Sequence, residues 1–265
     1  MLEIIEYGSD TDDMVVLLHG AASHSGQWRE LIRLTCTKSH VVAFNQYGYG
    51  RSPSWSGPSR MLFSDQAEPI ISFLKTSRKP FHLVGHSHGG SVAAIVASAL
   101  PENLLSLSIY EPNAFDLIKQ VDEQEEFTQL EILFEGMLSR SSSMEDSTQF
   151  TEKLLNFWLG EGAWITLSDR LKGQLIQLID PTIGDVYAAL YSPMDLTGFE
   201  VIQERTLLMF DPYTPRPALA VTHAFHHLFP HVTVRNFPKR GHLAPIFYAE
   251  EVNREIIKHI EKWAR

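Results

Sequence analysis

The sequence contains one cysteine among its 265 residues, so no internal disulfide can form. Cys36 lies in a segment with helical periodicity, where we expect it to pack as a small apolar side chain. So little cysteine is typical of a reducing compartment, and we expect a cytoplasmic location. No apolar run approaches the roughly 18 residues of a membrane span, and the N-terminus, with Glu3 and Glu6, is acidic rather than basic. We therefore expect neither a membrane span nor a signal peptide.

Basic side chains are also few relative to acidic ones. Lys and Arg number 22 against 32 Asp and Glu, which gives a formal net charge of −10. Such a chain is poorly matched to the phosphate backbone of a nucleic acid, so we expect no nucleic-acid partner. Fifteen acidic and five basic residues lie between Phe115 and Phe199, and they account for the whole net charge. This segment therefore differs in composition from both of its flanks.

Apolar side chains occur in short continuous runs rather than in an alternating pattern. Strands of this kind are buried on both faces, as in a parallel sheet. Six runs predict strands, over residues 14–18, 41–44, 81–84, 104–110, 206–210 and 232–234. Helical patterns between them cover residues 27–35, 64–76, 91–100, 217–229 and 249–263. The alternation predicts an α/β fold with a doubly wound, mostly parallel sheet, in which ligands bind at the carboxyl ends of the strands.

The acidic segment breaks this alternation. Its periodicity predicts helices only, over residues 115–120, 125–138, 147–159, 169–178 and 183–190. We therefore divide the chain into a core of residues 1–114 and 200–265 and a helical lid of residues 115–199, inserted between two core strands. We expect this insert to cover the carboxyl ends of the strands and its negative charge to slow anionic substrates.

The most informative motif is Gly85-His86-Ser87-His88-Gly89, which fits the pattern G-x-S-x-G. A predicted strand precedes it and a helix of small residues follows it, and this strand–turn–helix context is what a nucleophile elbow requires. Glycines flank the serine because a side chain there would collide with the neighbouring strand and helix. The motif predicts that Ser87 is a catalytic nucleophile.

A serine nucleophile needs a base, and the base needs an acid. His242 follows the last predicted strand and is the expected base. Asp211 ends the fifth predicted strand and is the expected acid, because the order Ser87, Asp211, His242 is the one that this architecture uses. Glu111 ends the adjacent strand and is the reserve acid.

The oxyanion of an acyl-transfer intermediate needs two backbone N–H donors. We expect one from His88, the residue after the nucleophile, and the other from Ala21, in the loop after the strand 14–18. This chemistry requires no cofactor, and we expect none. Four histidines between residues 223 and 231 have ligand-like spacing, but their helix is predicted on the outer face of the sheet, so we expect no metal site there.

Together these motifs resemble the lidded serine hydrolases of the α/β-hydrolase fold superfamily. The resemblance is carried by residues 17–20 (LLHG) with Trp28 downstream, 47–52 (YGYGRS), 85–90 (GHSHGG), Asp211-Pro212 and Gly241-His242. The insert resembles an uncharacterised bacterial branch through residues 157–164 (FWLGEGAW), which implies no particular substrate. The resemblance implies an α/β-hydrolase fold and hydrolysis through an acyl-enzyme.

Two departures from the family pattern bear on the site. The strand before Asp211 lacks the usual glycine spacer, which keeps Glu111 as an alternative acid. Leu243 follows His242, where ring-cleavage C–C hydrolases usually carry Trp. The sequence therefore favours hydrolysis of a small or medium, neutral carboxylic ester or related acyl compound. A C–C bond hydrolase of a diketone or ring-fission product and a ligand-binding receptor on the same scaffold remain alternatives, and no oligomeric state is indicated.

Overall fold

A computed structural model describes residues 1–121, 124–138 and 143–264 of the chain. Seven strands form one sheet in the order β1-β3-β2-β4-β5-β6-β7. The strands are β1 (Glu3–Tyr7), β2 (Met14–Leu18), β3 (His40–Asn45), β4 (Phe81–His86), β5 (Leu104–Tyr110), β6 (Thr206–Phe210) and β7 (Thr233–Asn236). Neighbouring strands are parallel except β1 and β3, which are antiparallel. The predicted mostly parallel sheet is confirmed.

Strand β1 is the one strand that the apolar runs did not predict. It pairs along the edge of β3, from Glu3 opposite Asn45 to Tyr7 opposite Val41. None of its side chains is fully buried, because it lies at the edge of the sheet. In contrast, β2, β4 and β5 are buried at every position, which explains their continuous apolar sequences.

The helices cover both faces of the sheet. Those in the described residues are α1 (Arg29–Thr35), α2 (Phe63–Ser77), α3 (His88–Ala99), α4 (Gln124–Leu138), α5 (Met144–Leu159), α6 (Asp169–Gln177), α7 (Ile179–Tyr191), α8 (Arg216–Leu228), α9 (Ala244–Phe247) and α10 (Ala249–Trp263). Helices α2, α3 and α8 pack in the larger apolar cluster, whereas α1 and α10 pack in a second cluster. None of the helices described is long and apolar enough to cross a membrane.

Helices α4 to α7 belong to an insert between β5 and β6, and no strand occurs among the described residues of 115–199. Helix α7 is seated on the core. A Cβ on Gly48 would lie only 2.6 Å from Cβ of Pro181, so this close approach depends on the glycine. At the other end of α7, Oγ of Ser192 accepts the backbone N–H of Phe63 at 2.9 Å. The insert is thus joined to the core at both ends of α7.

Candidate active site

Ser87 lies on the sharp turn between β4 and α3. Its backbone has φ 53° and ψ −121°, a conformation that L residues rarely adopt and that the surrounding structure must maintain. The flanking glycines make the turn possible. A Cβ on Gly85 would collide with the backbone of Gly89, and a Cβ on Gly89 would collide with the backbone of Leu18 and His19. This local structure is the one that the G-x-S-x-G motif predicts.

The hydroxyl of Ser87 meets the imidazole of His242. Its Oγ lies 3.0 Å from Nε2 of His242, and the other ring nitrogen, Nδ1, lies 2.7 Å from Oε2 of Glu111. When Glu111 is ionised it only accepts hydrogen bonds; Nδ1 then carries the proton and Nε2 presents its lone pair to Ser87. The three side chains form a serine–histidine–carboxylate relay with the geometry that nucleophilic catalysis requires.

The structure places Asp211 beside this relay rather than in it, which corrects the contact expected from the sequence. Oδ1 of Asp211 accepts the backbone N–H groups of Tyr213 at 2.9 Å and Lys239 at 3.1 Å, and Oδ2 accepts that of Gly241 at 2.6 Å. Both carboxylate oxygens therefore hold the loop that leads into the histidine. The reserve acid, Glu111, makes the histidine contact that was expected of Asp211.

Glu111 reaches the histidine because the chain turns sharply at the end of β5. Its φ is 41°, and its N–H donates to the carbonyl of Met209 on the neighbouring strand at 2.9 Å. The carboxylate accepts the backbone N–H of Asp211 at 2.8 Å and the hydroxyl of Thr214 at 3.1 Å. These bonds fix the carboxylate before any substrate is present.

The imidazole of His242 contacts two other rings. Trp158, from α5 of the insert, stacks on it with the ring centroids 3.5 Å apart and the planes 14° from parallel. The ring of His86 lies 4.8 Å away, and Nε2 of His86 donates to the carbonyl of His242 at 2.9 Å. Both the ring and the backbone of the histidine are therefore held in place.

Burial dominates the electrostatics of the relay. Removal from water lowers the pKa of His242, which keeps the imidazole neutral as a general base must be. Burial raises the pKa of Glu111, and the hydrogen bonds from Asp211 and Thr214 oppose that rise. The ionised form of Glu111 is best stabilised when an imidazolium forms beside it, so this arrangement favours proton transfer from Ser87 to His242.

Two backbone donors are available near the hydroxyl. Ala21 and Ser87 line the same cavity, and His88 begins α3, where helix N–H groups have no partner within the helix. In the described part of the chain, no group accepts a hydrogen bond from the N–H of Ala21 or of His88. The two residues expected to stabilise an oxyanion thus have unoccupied donors.

A cavity of about 290 Å³ adjoins Ser87 and is enclosed by core and insert. The insert contributes mainly aliphatic side chains, namely Leu154, Leu155, Leu159, Leu167, Leu171, Leu175 and Val186, together with Thr151, Trp158 and Thr182. No Asp, Glu, Lys or Arg side chain is among the described residues that line it. The site can therefore accept an uncharged, apolar group next to the nucleophile.

A profile of the alpha/beta hydrolase family matches residues 15–255, a range that includes the whole relay. The chain belongs to this family. Monoacylglycerol lipase ABHD6 of Bos taurus is 32% identical to this hydrolase over 101 residues, which are 37% of this chain and 30% of that protein. Lipase LipV of Mycobacterium tuberculosis is 29% identical over 112 residues, which are 42% of this chain and 41% of that protein. The matched region thus spans less than half the length of these curated relatives.

Solved structures of esterases share the fold of this hydrolase. The thermophilic esterase from Thermogutta terrifontis has a TM-score of 0.69 at 19% identity, with 100% of this chain and 94% of that chain covered. The esterase from Exiguobacterium antarcticum has a TM-score of 0.71 at 16% identity, with 98% and 95% covered. At these identities the likeness concerns the fold.

Two residues of the insert contact the predicted site residues of this hydrolase and were not themselves predicted from the sequence. Trp158 stacks on His242, and Asp185 lies 3.2 Å from the ring of His88. The adjacent aromatic residues Phe157 and Trp158 were the one feature of the sequence that could have indicated this contact. Asp185 carried no signal, because it is one of fifteen acidic residues in the segment. No cluster of three or more metal-ligating side chains occurs among the residues described.

Proposed function

We propose that this hydrolase cleaves neutral, moderately hydrophobic carboxylic esters through an acyl-enzyme on Ser87. The observation that carries the proposal is the relay of Ser87, His242 and Glu111 beside an uncharged, largely aliphatic cavity. The names of the curated relatives, which are lipases, agree with an ester substrate.

In the first half of the proposed reaction, Oγ of Ser87 attacks the ester carbonyl carbon and Nε2 of His242 takes the hydroxyl proton. Glu111 stabilises the imidazolium that forms. The carbonyl oxygen becomes an oxyanion, which accepts hydrogen bonds from the N–H groups of Ala21 and His88. Loss of one such donor typically lowers kcat by about 10²–10³, so these backbone groups account for a large part of the rate.

Collapse of the oxyanion breaks the bond to the alcohol. His242 gives its proton to the leaving oxygen, and the acyl group stays on Ser87 as an ester. A water molecule then repeats the sequence: His242 removes its proton, the oxyanion forms again in the same hole, and the carboxylic acid leaves as Ser87 regains its proton. One base and one oxyanion hole serve both halves of the cycle.

The cavity supports a neutral substrate. No cationic side chain is available in its described lining to compensate a substrate carboxylate or phosphate. Acidic side chains of the insert, including Glu145, Glu161 and Asp169, are exposed on its outer surface. Their field extends over roughly a Debye length, about 8 Å at physiological salt, and we propose that it slows the approach of anionic esters.

We also propose that residues 115–199 form a lid and that the protein works in the cytoplasm. The core supplies the relay, whereas the insert supplies most of the aliphatic wall and the ring that stacks on His242. A substrate bound at Ser87 would therefore be enclosed by the insert. The single cysteine supports the cytoplasmic location.

Labelling with a fluorophosphonate tests the proposed nucleophile. We expect one adduct, on Ser87 by peptide mass spectrometry, and we expect Ser87→Ala to lose both the adduct and turnover of p-nitrophenyl esters, by a factor near 10⁶ in kcat. Ser98→Ala is the matched control, because Ser98 lies on the same helix α3 and donates only to the carbonyl of Ala94. An adduct on another residue, or turnover that survives in Ser87→Ala, would refute the assignment.

An acyl-chain panel then separates the alternatives. Ester turnover with neutral acyl chains of increasing length supports the proposal. Turnover of a diketone without ester turnover would instead indicate C–C bond hydrolysis. Saturable ligand binding without labelling or turnover would indicate a receptor on the hydrolase scaffold.

A further inference from the structure

We propose that Asp185 is a positioning residue for the oxyanion hole, which it braces through Tyr49 on one side and through His88 on the other. The inference rests on the proposed function, because it takes the N–H groups of Ala21 and His88 as the oxyanion donors. It assigns a role in catalysis to a carboxylate of the insert that takes no part in the proton transfers described above.

The position of Asp185 is unusual for an acidic side chain. It lies in the middle of α7, and its side chain is 0% exposed. Among the described acidic residues of the insert, Asp185 alone is buried. No Lys or Arg in the described chain forms an ion pair with it. Burial of a carboxyl group without a cation is costly, so hydrogen-bonding partners are required at this point.

The first partner is Tyr49. The hydroxyl of Tyr49 donates to Oδ2 of Asp185 at 2.6 Å, and the same hydroxyl oxygen accepts the backbone N–H of Ala22 at 3.0 Å. Because the one proton of Tyr49 is committed to Asp185, its oxygen is left to accept from Ala22. Asp185 therefore fixes the rotation of the Tyr49 hydroxyl, with its hydrogen directed away from Ala22 and a lone pair left for the Ala22 N–H, which can only donate.

Ala22 needs such a bond. Its φ is 53°, in the left-handed region that a non-glycine residue adopts only at a cost. Ala21, the proposed oxyanion donor, is the preceding residue, so the direction of its N–H depends on how this strained loop is held. Both residues line the cavity beside Ser87.

The second contact of Asp185 is with His88, which supplies the other proposed donor. Nε2 of His88 lies 3.2 Å from Oδ1 of Asp185, and both side chains are fully buried. The approach is a close packing contact rather than an aligned hydrogen bond, since Nε2 of His88 and Oδ1 of Asp185 each lack a hydrogen-bond partner among the described atoms. The carboxyl group thus fills the space behind the first turn of α3.

Helix α7 also has attachments to the core that do not involve Asp185. Pro181 packs against Gly48 near one end of the helix, and Ser192 accepts the N–H of Phe63 at the other. A carboxylate is not needed for those attachments. What Asp185 adds is a direct contact with His88 and, through the hydroxyl of Tyr49, a link to the loop of Ala21 and Ala22.

The test compares Tyr49→Phe, Asp185→Leu and Asp185→Asn. Tyr49→Phe removes the hydroxyl and keeps the ring, which contacts the ring of His19 at 5.1 Å. We expect kcat to fall about ten- to a hundredfold in Tyr49→Phe and Asp185→Leu, less than the 10²–10³ for outright loss of a donor, with KM within about threefold. Asp185→Asn retains an acceptor for Tyr49 and should recover most of kcat.

A trifluoromethyl ketone provides a readout that a merely structural role would not change. It forms a hemiketal oxyanion on Ser87, so its inhibition constant should rise in parallel with the fall in kcat/KM, while the affinity for the product alcohol stays constant. Asp180→Asn is the matched control, because Asp180 is exposed near the start of the same helix. Fluorophosphonate titration of active sites corrects each rate for the folded fraction.

The outcomes are distinct. The inference would be overturned if Tyr49→Phe folds and keeps kcat and ketone affinity within twofold of wild type. It would also be overturned if the variants show a lower Tm but no fall in kcat at nearly constant KM. If Asp185→Leu does not fold, Tyr49→Phe and Asp185→Asn decide the matter. Failure of the proposed function looks different: wild-type protein would then show no labelling of Ser87 and no ester turnover.

Discussion

Replacement of Glu111 by glutamine changes one oxygen to NH2 in the carboxylate that contacts His242. Oε1 of Glu111 accepts the N–H of Asp211, and Oε2 accepts from Thr214 and from Nδ1 of His242. The amide oxygen must occupy the Oε1 position, because an NH2 group there would face the Asp211 N–H and leave a buried donor unpaired, at about 1–3 kcal/mol. The NH2 group therefore faces His242.

The orientation of this NH2 group determines how far kcat falls. Nδ1 of His242 then accepts a hydrogen bond, its proton moves to Nε2, and Ser87 loses the lone pair that would take its proton. Stabilisation of the wrong tautomer costs on the order of 10⁴ in kcat, or about 5.4 kcal/mol at 1.36 kcal/mol per decade. KM should change little, because Glu111 is not among the residues that line the cavity.

Asp211→Asn is the matched comparison. Its NH2 group would face either the N–H of Gly241 or those of Tyr213 and Lys239, so at least one backbone donor loses its acceptor. We expect a loss of stability of about 1–3 kcal/mol and a loss in kcat below about 10², since only the placement of the histidine loop is affected.

Steady-state kinetics with a p-nitrophenyl ester and thermal unfolding of the same preparations separate the two roles. We expect Glu111→Gln to lose kcat with its Tm nearly unchanged and Asp211→Asn to lose Tm with much of its kcat retained. The opposite pattern, with kcat kept in Glu111→Gln and lost in Asp211→Asn, would show that Asp211 is the acid.

Three further results are expected. Trp158→Leu should lower kcat roughly fivefold, because a stacked indole stabilises the imidazolium by about 1 kcal/mol, and an unchanged kcat in the folded variant would show that the stack is incidental. Gly89→Ala should yield little folded protein, since its Cβ would collide with the backbone of β2 and the residue after it, and a normal yield with a normal Tm would contradict this. A neutral ester should be preferred over an isosteric carboxylate-bearing ester, with a ratio of kcat/KM that falls as salt rises; a ratio insensitive to salt would mean that the charge of the insert concerns solubility alone.

Local sequence patterns predicted the fold well because its determinants are local. Continuous apolar runs located six of the strands, and β2, β5 and β6 have the predicted bounds. The elbow was predictable for the same reason: the two glycines, the serine and the small-residue helix are adjacent in the chain. Strand β1 was missed because an edge strand with partly exposed side chains lacks the apolar run of a central strand.

The acid of the relay could not be chosen by the same reasoning. Glu111 and Asp211 each follow a parallel strand directly, so both qualify by position. The choice depends on the positive φ of Glu111 and on the path of the loop around Gly241, which are tertiary features. The contacts of Trp158 with His242 and of Asp185 with Tyr49 join residues far apart in the chain, and no periodicity encodes them.

The pair of carboxylates also divides the support of the histidine between two neighbouring strands. Asp211 and Glu111 stand at the ends of neighbouring strands and are joined by one hydrogen bond, from the N–H of the first to Oε1 of the second. Asp211 accepts backbone N–H groups of the loop that carries His242, and Glu111 contacts the imidazole ring. Removal of either carboxylate therefore still leaves one bonded to the histidine itself or to its loop.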